Sequence, residues 1–73
     1  MTNLEKKVLN AIEEARKHPD TSIRVGNLMY TIELREETNF YLVMDEGERT
    51  QMNQIDDPLF LIVEQFVNYI KAH

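Results

Sequence analysis

Apolar residues recur every three or four positions near the start of the chain, which is the spacing of one face of a helix. Thr2 and Glu5 stand at the head of this run and match the spacing of a capping box. Pro19 disfavours helical geometry at the residue before it. The pattern therefore predicts a first helix from about Asn3 to Lys17.

A second and more apolar stretch near the other end of the chain also has helical spacing. Asp57 and Pro58 introduce it, and a capping aspartate followed by a proline at the first helical position is a common helix start. We predict a second helix from Pro58 to about Lys71. Its apolar residues cover roughly half of the helical circumference, which is wider than the ~100° stripe that one sheet face needs. The predicted surplus is Phe60, Leu61 and Tyr69.

Between the helices, apolar and polar residues alternate with the period of two that is typical of β-strands. Two such segments, residues 23–25 and 28–34, flank Gly26-Asn27, a dipeptide suited to a two-residue turn with positive φ. Closing a hairpin on that turn places the apolar residues of both strands on one face. The predicted cross-strand pairs are Val25 with Leu28 and Ile23 with Tyr30.

The next strand, Phe40 to Met44, must place its alternate apolar residues on the same face, which requires an odd-numbered loop. We predict the three-residue loop Glu37-Thr38-Asn39, with Asn39 in the left-handed conformation that few residues other than glycine accept. The predicted pairs are Leu34 with Leu42 and Ile32 with Met44.

A further turn is predicted at Asp45–Glu48. Residues 48–54 are compatible with an edge strand in which only Met52 is apolar, so the pattern leaves the number of strands at three or four. The order of elements predicts one small α+β domain with both helices packed on one face of an antiparallel sheet. The predicted core is Leu4, Val8, Ile12, Ile23, Val25, Tyr30, Ile32, Leu34, Phe40, Leu42, Met44, Leu59, Ile62, Val63, Phe66 and Ile70.

Composition narrows the class of protein. With 73 residues, of which 42% are hydrophobic and 29% charged, the chain resembles a small globular domain and differs from disordered sequences. It has no cysteine, which excludes disulfides, thiolate metal sites and cysteine nucleophiles. The longest apolar runs, at 40–44 and 59–63, are far shorter than the ~20 residues of a membrane span, and the start of the chain lacks an apolar signal core. We therefore expect a soluble, cytoplasmic protein.

Charge is concentrated in one part of the chain. The net charge of −5 argues against nucleic acid or an anionic membrane as a direct partner. Between Glu33 and Asp57 there are eight acids against Arg35 and Arg49, whereas the remainder is nearly neutral. Such clustering produces a surface field that steers a basic partner. The alternative is that these carboxylates only keep loops and turns solvated.

Residues that could perform catalysis are sparse. Ser22 is the only serine, and His18 and His73 are the only histidines. The sequence lacks a glycine-rich phosphate loop, and the acidic turn at Asp45–Glu48 lacks the ligand spacing of a calcium site. We therefore predict no catalytic residues, no metal site and no cofactor.

The predicted function is that of a non-catalytic protein-binding or regulatory module that engages a basic surface of another protein. The acids of the sheet and turns would supply attraction, and two residues of the sheet face opposite the core would supply apolar contact. The predicted partner-binding residues are Met29, Glu33, Glu36, Glu37, Tyr41, Asp45, Glu46 and Glu48.

Two alternatives stay open. In size, acidity and order of elements the chain is similar to small phage-encoded inhibitors of nucleic-acid enzymes, including some anti-CRISPR proteins. That resemblance implies acids that stand in for nucleic-acid phosphates. The other alternative is a subunit whose small-ligand or catalytic site forms at an interface between copies. We also predict a homodimer, because a core from so short a chain yields only ~3–5 kcal/mol.

Overall fold

The chain folds as a four-stranded antiparallel sheet with two helices packed on one of its faces. The computed structural model describes residues 1–18, 20–44 and 49–72, with side chains given for all but residues 44 and 49–52. The predicted α+β fold is confirmed, and the fourth strand is present. The elements are α1 (Asn3–Ala15), β1 (Asp20–Val25), β2 (Leu28–Arg35), β3 (Asn39–Met44), β4 (Arg49–Gln54) and α2 (Leu59–Ala72).

A single apolar core lies between the sheet and the helix layer. The strands lie in sequence order, α1 packs against β1 and β2, α2 packs against β4, and the helices contact each other. Four predicted core residues, Leu4, Val25, Leu34 and Leu59, are only half-buried at its margin, and the side chain of Met44 lies outside the described residues. The core also includes Ala11, Ala15 and Val67, which were not predicted. The predicted residues that are buried are Val8, Ile12, Ile23, Tyr30, Ile32, Phe40, Leu42, Ile62, Val63, Phe66 and Ile70.

The predicted capping box fixes the start of α1. The Thr2 hydroxyl accepts a hydrogen bond from the backbone N–H of Glu5 at 3.1 Å, and the Glu5 carboxylate accepts one from the backbone N–H of Thr2 at 2.8 Å. The bond from the Thr2 backbone N–H to the ionised carboxylate, supported by the Thr2 side chain, holds the pKa of Glu5 below its ordinary value of 4.5. The helix ends at Ala15, two residues before the predicted end.

Helix α2 begins one residue later than predicted. The carbonyl of Pro58 accepts from the backbone N–H groups of Leu61 at 2.9 Å and Ile62 at 3.2 Å. The Asp57 carboxylate, predicted to cap the helix, closes the preceding turn by accepting from the backbone N–H of Gln54 at 2.9 Å. Asp57 thus ties the end of β4 to the start of α2.

The first hairpin has the predicted register. Val25 lies opposite Leu28 and Ile23 lies opposite Tyr30. Gly26 has a φ of 62°, in the left-handed region that the tight turn requires and that glycine adopts without steric cost.

The second hairpin differs from its predicted register by two residues. Leu34 lies opposite Phe40, and Ile32 lies opposite Leu42. The loop is residues 36–38, not residues 37–39, because Glu36 and Glu37 take left-handed conformations with φ of 59° and 66°. Asn39, predicted to be the left-handed residue, opens β3 instead. A shift of two residues preserves the buried face, so the predicted division between core and open sides holds.

Edge strand β4 is attached to α2 by a buried amide. Asn53 is 5% exposed on the helix-facing side of the sheet, and its Nδ2 donates to the side-chain oxygen of Gln65 at 2.6 Å and to Asp57 at 3.3 Å. A register shift between Leu42 and Val43 places a β-bulge in the same strand pair. The amide therefore holds in place a strand that contributes little apolar surface.

Both sheet edges carry a contact that occupies backbone groups. At the β1 edge, the Lys7 ammonium donates to the carbonyl of Arg24 at 2.9 Å. At the β4 edge, the N–H of Gln54 is occupied by the carboxylate of Asp57. Contacts of this kind disfavour the addition of a further strand. The faces of the molecule are therefore better placed than its edges to bind a partner.

We expect Asn53→Leu to lower the free energy of unfolding by about 1–3 kcal/mol, because it removes the buried donor that serves Gln65 and Asp57. Adding Gln65→Leu should recover most of that loss, because the donor Asn53 and the acceptor Gln65 are then both replaced by apolar groups. Urea titration followed by circular dichroism measures both values. Equal stability of Asn53→Leu and the wild type would contradict this role.

Candidate interaction surface

The sheet face opposite the helices forms the candidate interaction surface, called the open face below. Strand β2 places alternate residues on it, and the register adds residues of β1 and β3 beside them. In the described part of the chain, both helices lie on the other side of the sheet. The open face comprises Asp20, Ser22, Arg24, Met29, Thr31, Glu33, Arg35, Asn39, Tyr41 and Val43.

An ion triad organises one end of the open face. Asp20 and Glu33 are directly opposite each other on neighbouring strands, where two like charges repel. Arg35 lies two residues beyond Glu33 and contacts both carboxylates, at 2.9 Å to Asp20 and 3.2 Å to Glu33. The side chain of Glu33 is 16% exposed, that of Arg35 is 35% exposed and that of Asp20 is 64% exposed. Glu33 is thus the shielded member of the triad, and Arg35 offsets one of the two facing negative charges.

The middle of the open face contains both polar and apolar side chains. Ser22 and Thr31 share a cross-strand hydrogen bond at 3.0 Å. Tyr41 is half-buried and lies opposite Glu33, and Met29 is half-buried on the same strand as Glu33. Val43 is 8% exposed and completes the face on β3. This mixture of aromatic, thioether and charged groups is typical of protein interfaces.

The β2–β3 hairpin tip continues the open face with two exposed carboxylates. Both Glu36 and Glu37 have left-handed φ, and the N–H of Thr38 donates to the carbonyl of Arg35 at 3.3 Å across the turn. The carbonyl of Thr38 accepts from the N–H of Ile55, which fixes the tip against the segment after β4. A left-handed conformation costs a non-glycine residue roughly 1–2 kcal/mol. The two glutamates are therefore held in an unfavourable local geometry by the surrounding fold.

The structure brings together some of the predicted partner-binding residues. Met29, Glu33 and Tyr41 share the open face, and Glu36 and Glu37 occupy the tip at one end of it. Three others, Asp45, Glu46 and Glu48, lie outside the described residues.

Asp20 is a residue of this surface that the sequence reasoning did not include, whereas Arg35 was expected on this face but was not among the predicted binding residues. A signal for Asp20 was present, because the correctly predicted first hairpin register sets it opposite Glu33. Two facing acids are stabilised by a nearby cation, and Arg35 is the cation on the same face two residues further along. Extending the register from Ile23 back to Asp20 would have identified the triad.

Within residues 1–18, 20–44 and 49–72, no group of three or more histidine or acidic side chains is arranged to hold a metal ion. Over the same residues, neither helix combines the length and apolar character that a membrane crossing requires. Comparison with protein-family models, with curated proteins and with solved structures gives no match.

We expect Arg35→Met to lower the free energy of unfolding by about 1–2 kcal/mol, because Asp20 and Glu33 then face each other without a cation. Adding Asp20→Asn should recover most of the lost free energy of unfolding, because the two facing acids then no longer repel each other. Arg24→Met is the matched control, since Arg24 is an exposed arginine on the same face, and it should change stability by less than about 0.5 kcal/mol. Equal effects of the two arginine substitutions in urea titration would argue against the triad.

Replacing Glu36 by Asn and Glu37 by Gly together should stabilise the protein by about 1 kcal/mol, because these residues accept left-handed geometry more readily. In a domain of this size, 1 kcal/mol corresponds to a rise in Tm of about 4–8 °C. Thermal unfolding of the double variant measures the effect. An unchanged or lower Tm would show that the glutamates are not strained in the native state.

Proposed function

We propose that this protein is a non-catalytic protein-binding module that engages a basic surface of a partner through its open face and the adjacent hairpin tip. The observation that carries the proposal is the open face itself, a sheet surface on the side away from both helices that presents Met29 and Tyr41 among charged groups.

Different residues of this surface affect the association rate and the dissociation rate of the complex. Tyr41 and Met29 provide rigid aromatic and adaptable thioether surface, and such residues supply much of the binding energy in protein interfaces. The carboxylates mainly raise the association rate with a partner of opposite charge. Apolar contact therefore determines how long the complex lasts, and charge determines how fast it forms.

The triad indicates which acids are available for attraction. Arg35 already offsets one of the two negative charges of Asp20 and Glu33. Within the described residues, the exposed Glu36 and Glu37 form no such ion pair, and the hairpin places them together at one end of the surface. The preference for a basic partner thus comes from the tip, supported by the acids that follow β3 in the sequence.

A suitable probe is a 12-residue peptide that alternates arginine with leucine, offering about six cations and a row of apolar side chains. Its addition should shift the backbone NMR signals of β2, β3 and residues 36–38. Glu36→Gln with Glu37→Gln should slow association several-fold and reduce its dependence on salt between about 50 and 500 mM. Tyr41→Ala should instead speed dissociation by about tenfold or more.

Glu13→Gln with Glu14→Gln is the matched control, since it removes two adjacent exposed carboxylates from α1 and leaves the open face intact. This control should leave association within about twofold of the wild type. Equal slowing by both pairs of substitutions would show that only the total charge matters. Shifts confined to the helices would show that the open face is not the binding surface.

The two alternatives give different outcomes in binding assays with a natural partner. Competition by excess duplex DNA would identify a partner with a nucleic-acid groove and favour nucleic-acid mimicry. A metabolite that raises Tm through binding would favour a small-ligand site instead.

A further inference from the structure

An apolar groove lies between the two helices. It has a volume of about 210 Å³ and is lined by Met1, Glu5, Leu9, Leu59, Phe60 and Val63. Phe60, on its wall, is 73% exposed, as is Met1. Of the three surplus residues predicted on α2, Phe60 is thus the one that extends into solvent, whereas Leu61 and Tyr69 are half-buried.

The groove and Phe60 are complementary in size and character. A dry cavity of ~150 Å³ holds one benzene molecule, so a groove of about 210 Å³ has room for a phenyl ring. Because the ring and the groove belong to the same surface, two copies related by a two-fold axis can each insert Phe60 into the groove of the other. Such a self-complementary patch is the requirement for an isologous dimer.

Charge favours a second copy on this side of the molecule. Along α1 and α2 the acids are Glu5, Glu13, Glu14 and Glu64, and the bases are Lys6, Lys7 and Lys71, which leaves the helix layer at −1 of the chain total of −5. Most of the negative charge therefore belongs to strands and turns. Two copies repel each other least when they approach through their helices.

The molecule is also large enough to form a dimer interface of standard area. The molecule measures 29 × 28 × 19 Å, so a broad face offers on the order of 800 Å², which is the area that each partner contributes to a standard interface.

We propose that a second copy of this chain docks on the helix layer, with Phe60 of each copy inserted into the Met1–Leu9–Val63 groove of the other. The sheets then lie on the outside of the dimer. If the proposed function also holds, the dimer presents two open faces in opposite directions and binds two partner molecules.

Sedimentation equilibrium between about 5 and 500 µM tests the dimer directly. The wild type should approach twice the chain mass of 8.7 kDa. Phe60→Asp should raise the dimer dissociation constant about a hundredfold, because a two-fold axis repeats a roughly tenfold loss at each of two contacts. Thr38→Asp adds the same charge at the hairpin tip and should leave the dimer intact. A monomeric wild type, or a Phe60→Asp variant that dimerises as tightly as the wild type, would overturn the proposal.

Mixing two variants tests the arrangement within the dimer. Leu9→Lys in the groove should also give a monomer. A mixture of the Leu9→Lys chain with the Phe60→Asp chain should form a heterodimer. In it, Phe60 of the Leu9→Lys chain enters a native groove, and the aspartate of the other chain meets the introduced lysine. A mixture that stays monomeric while each variant keeps its native circular dichroism would overturn the insertion of Phe60 into the groove. The Phe60→Asp monomer should still bind the arginine–leucine peptide, so failure of the dimer and failure of the proposed function are separate results.

Discussion

The fold depends on keeping most apolar strand residues on the one face that the helices cover. A chain of this length supplies a single core layer, so each turn must return the next strand with its apolar residues on the correct side. Gly26 and the Glu36-Glu37 turn meet that requirement by left-handed backbone geometry. The bulge next to Val43 shifts the register within the last strand pair. Because most apolar residues of the strands serve that face, the other face is left to polar and charged side chains with Met29, Tyr41 and Val43 among them, and this division creates the open face.

Much of this architecture follows from local patterns. The capping box, the first hairpin register and the helical spacing of α2 each depend on residues close together in the sequence, and each predicts its element. The second hairpin register is different, because two successive glutamates take a conformation that local preference assigns to Asn39. Ile55 secures that turn from outside the hairpin, through a contact that no local pattern contains. Ala11 and Ala15 have the helical spacing of the apolar face of α1 but were not among the predicted core residues. Their burial shows that small residues on the inner face of a helix also belong to the core.

The burial of a polar residue is likewise not predicted by local sequence patterns. Asn53 lies in a stretch that contains almost no apolar residue, so its sequence context gives no reason to expect burial. The reason lies on α2, where Gln65 offers an acceptor at 2.6 Å. Likewise, the predicted surface acids do not act alike. Glu33 belongs to a triad with Arg35, whereas Glu36 and Glu37 are exposed at the tip. Charge counted along the sequence therefore does not separate paired from unpaired carboxylates, and only the strand register shows which acids Arg35 contacts.

The thinness of the molecule links its two proposed surfaces. With a smallest extent of 19 Å, the open face and the helix layer are separated by one layer of core side chains. Tyr41 and Phe40 are neighbours on β3 that point to opposite sides. Phe40 is fully buried, and the guanidinium carbon of Arg16, the residue after α1, lies 5.8 Å from the centre of its ring. A partner that fixes β2 and β3 from the open side thus also restricts the strands that support the helices. Because binding to the native state alone stabilises it, the proposed partner on the open face and the proposed second copy on the helix layer would each add to the stability of a domain whose own core is small.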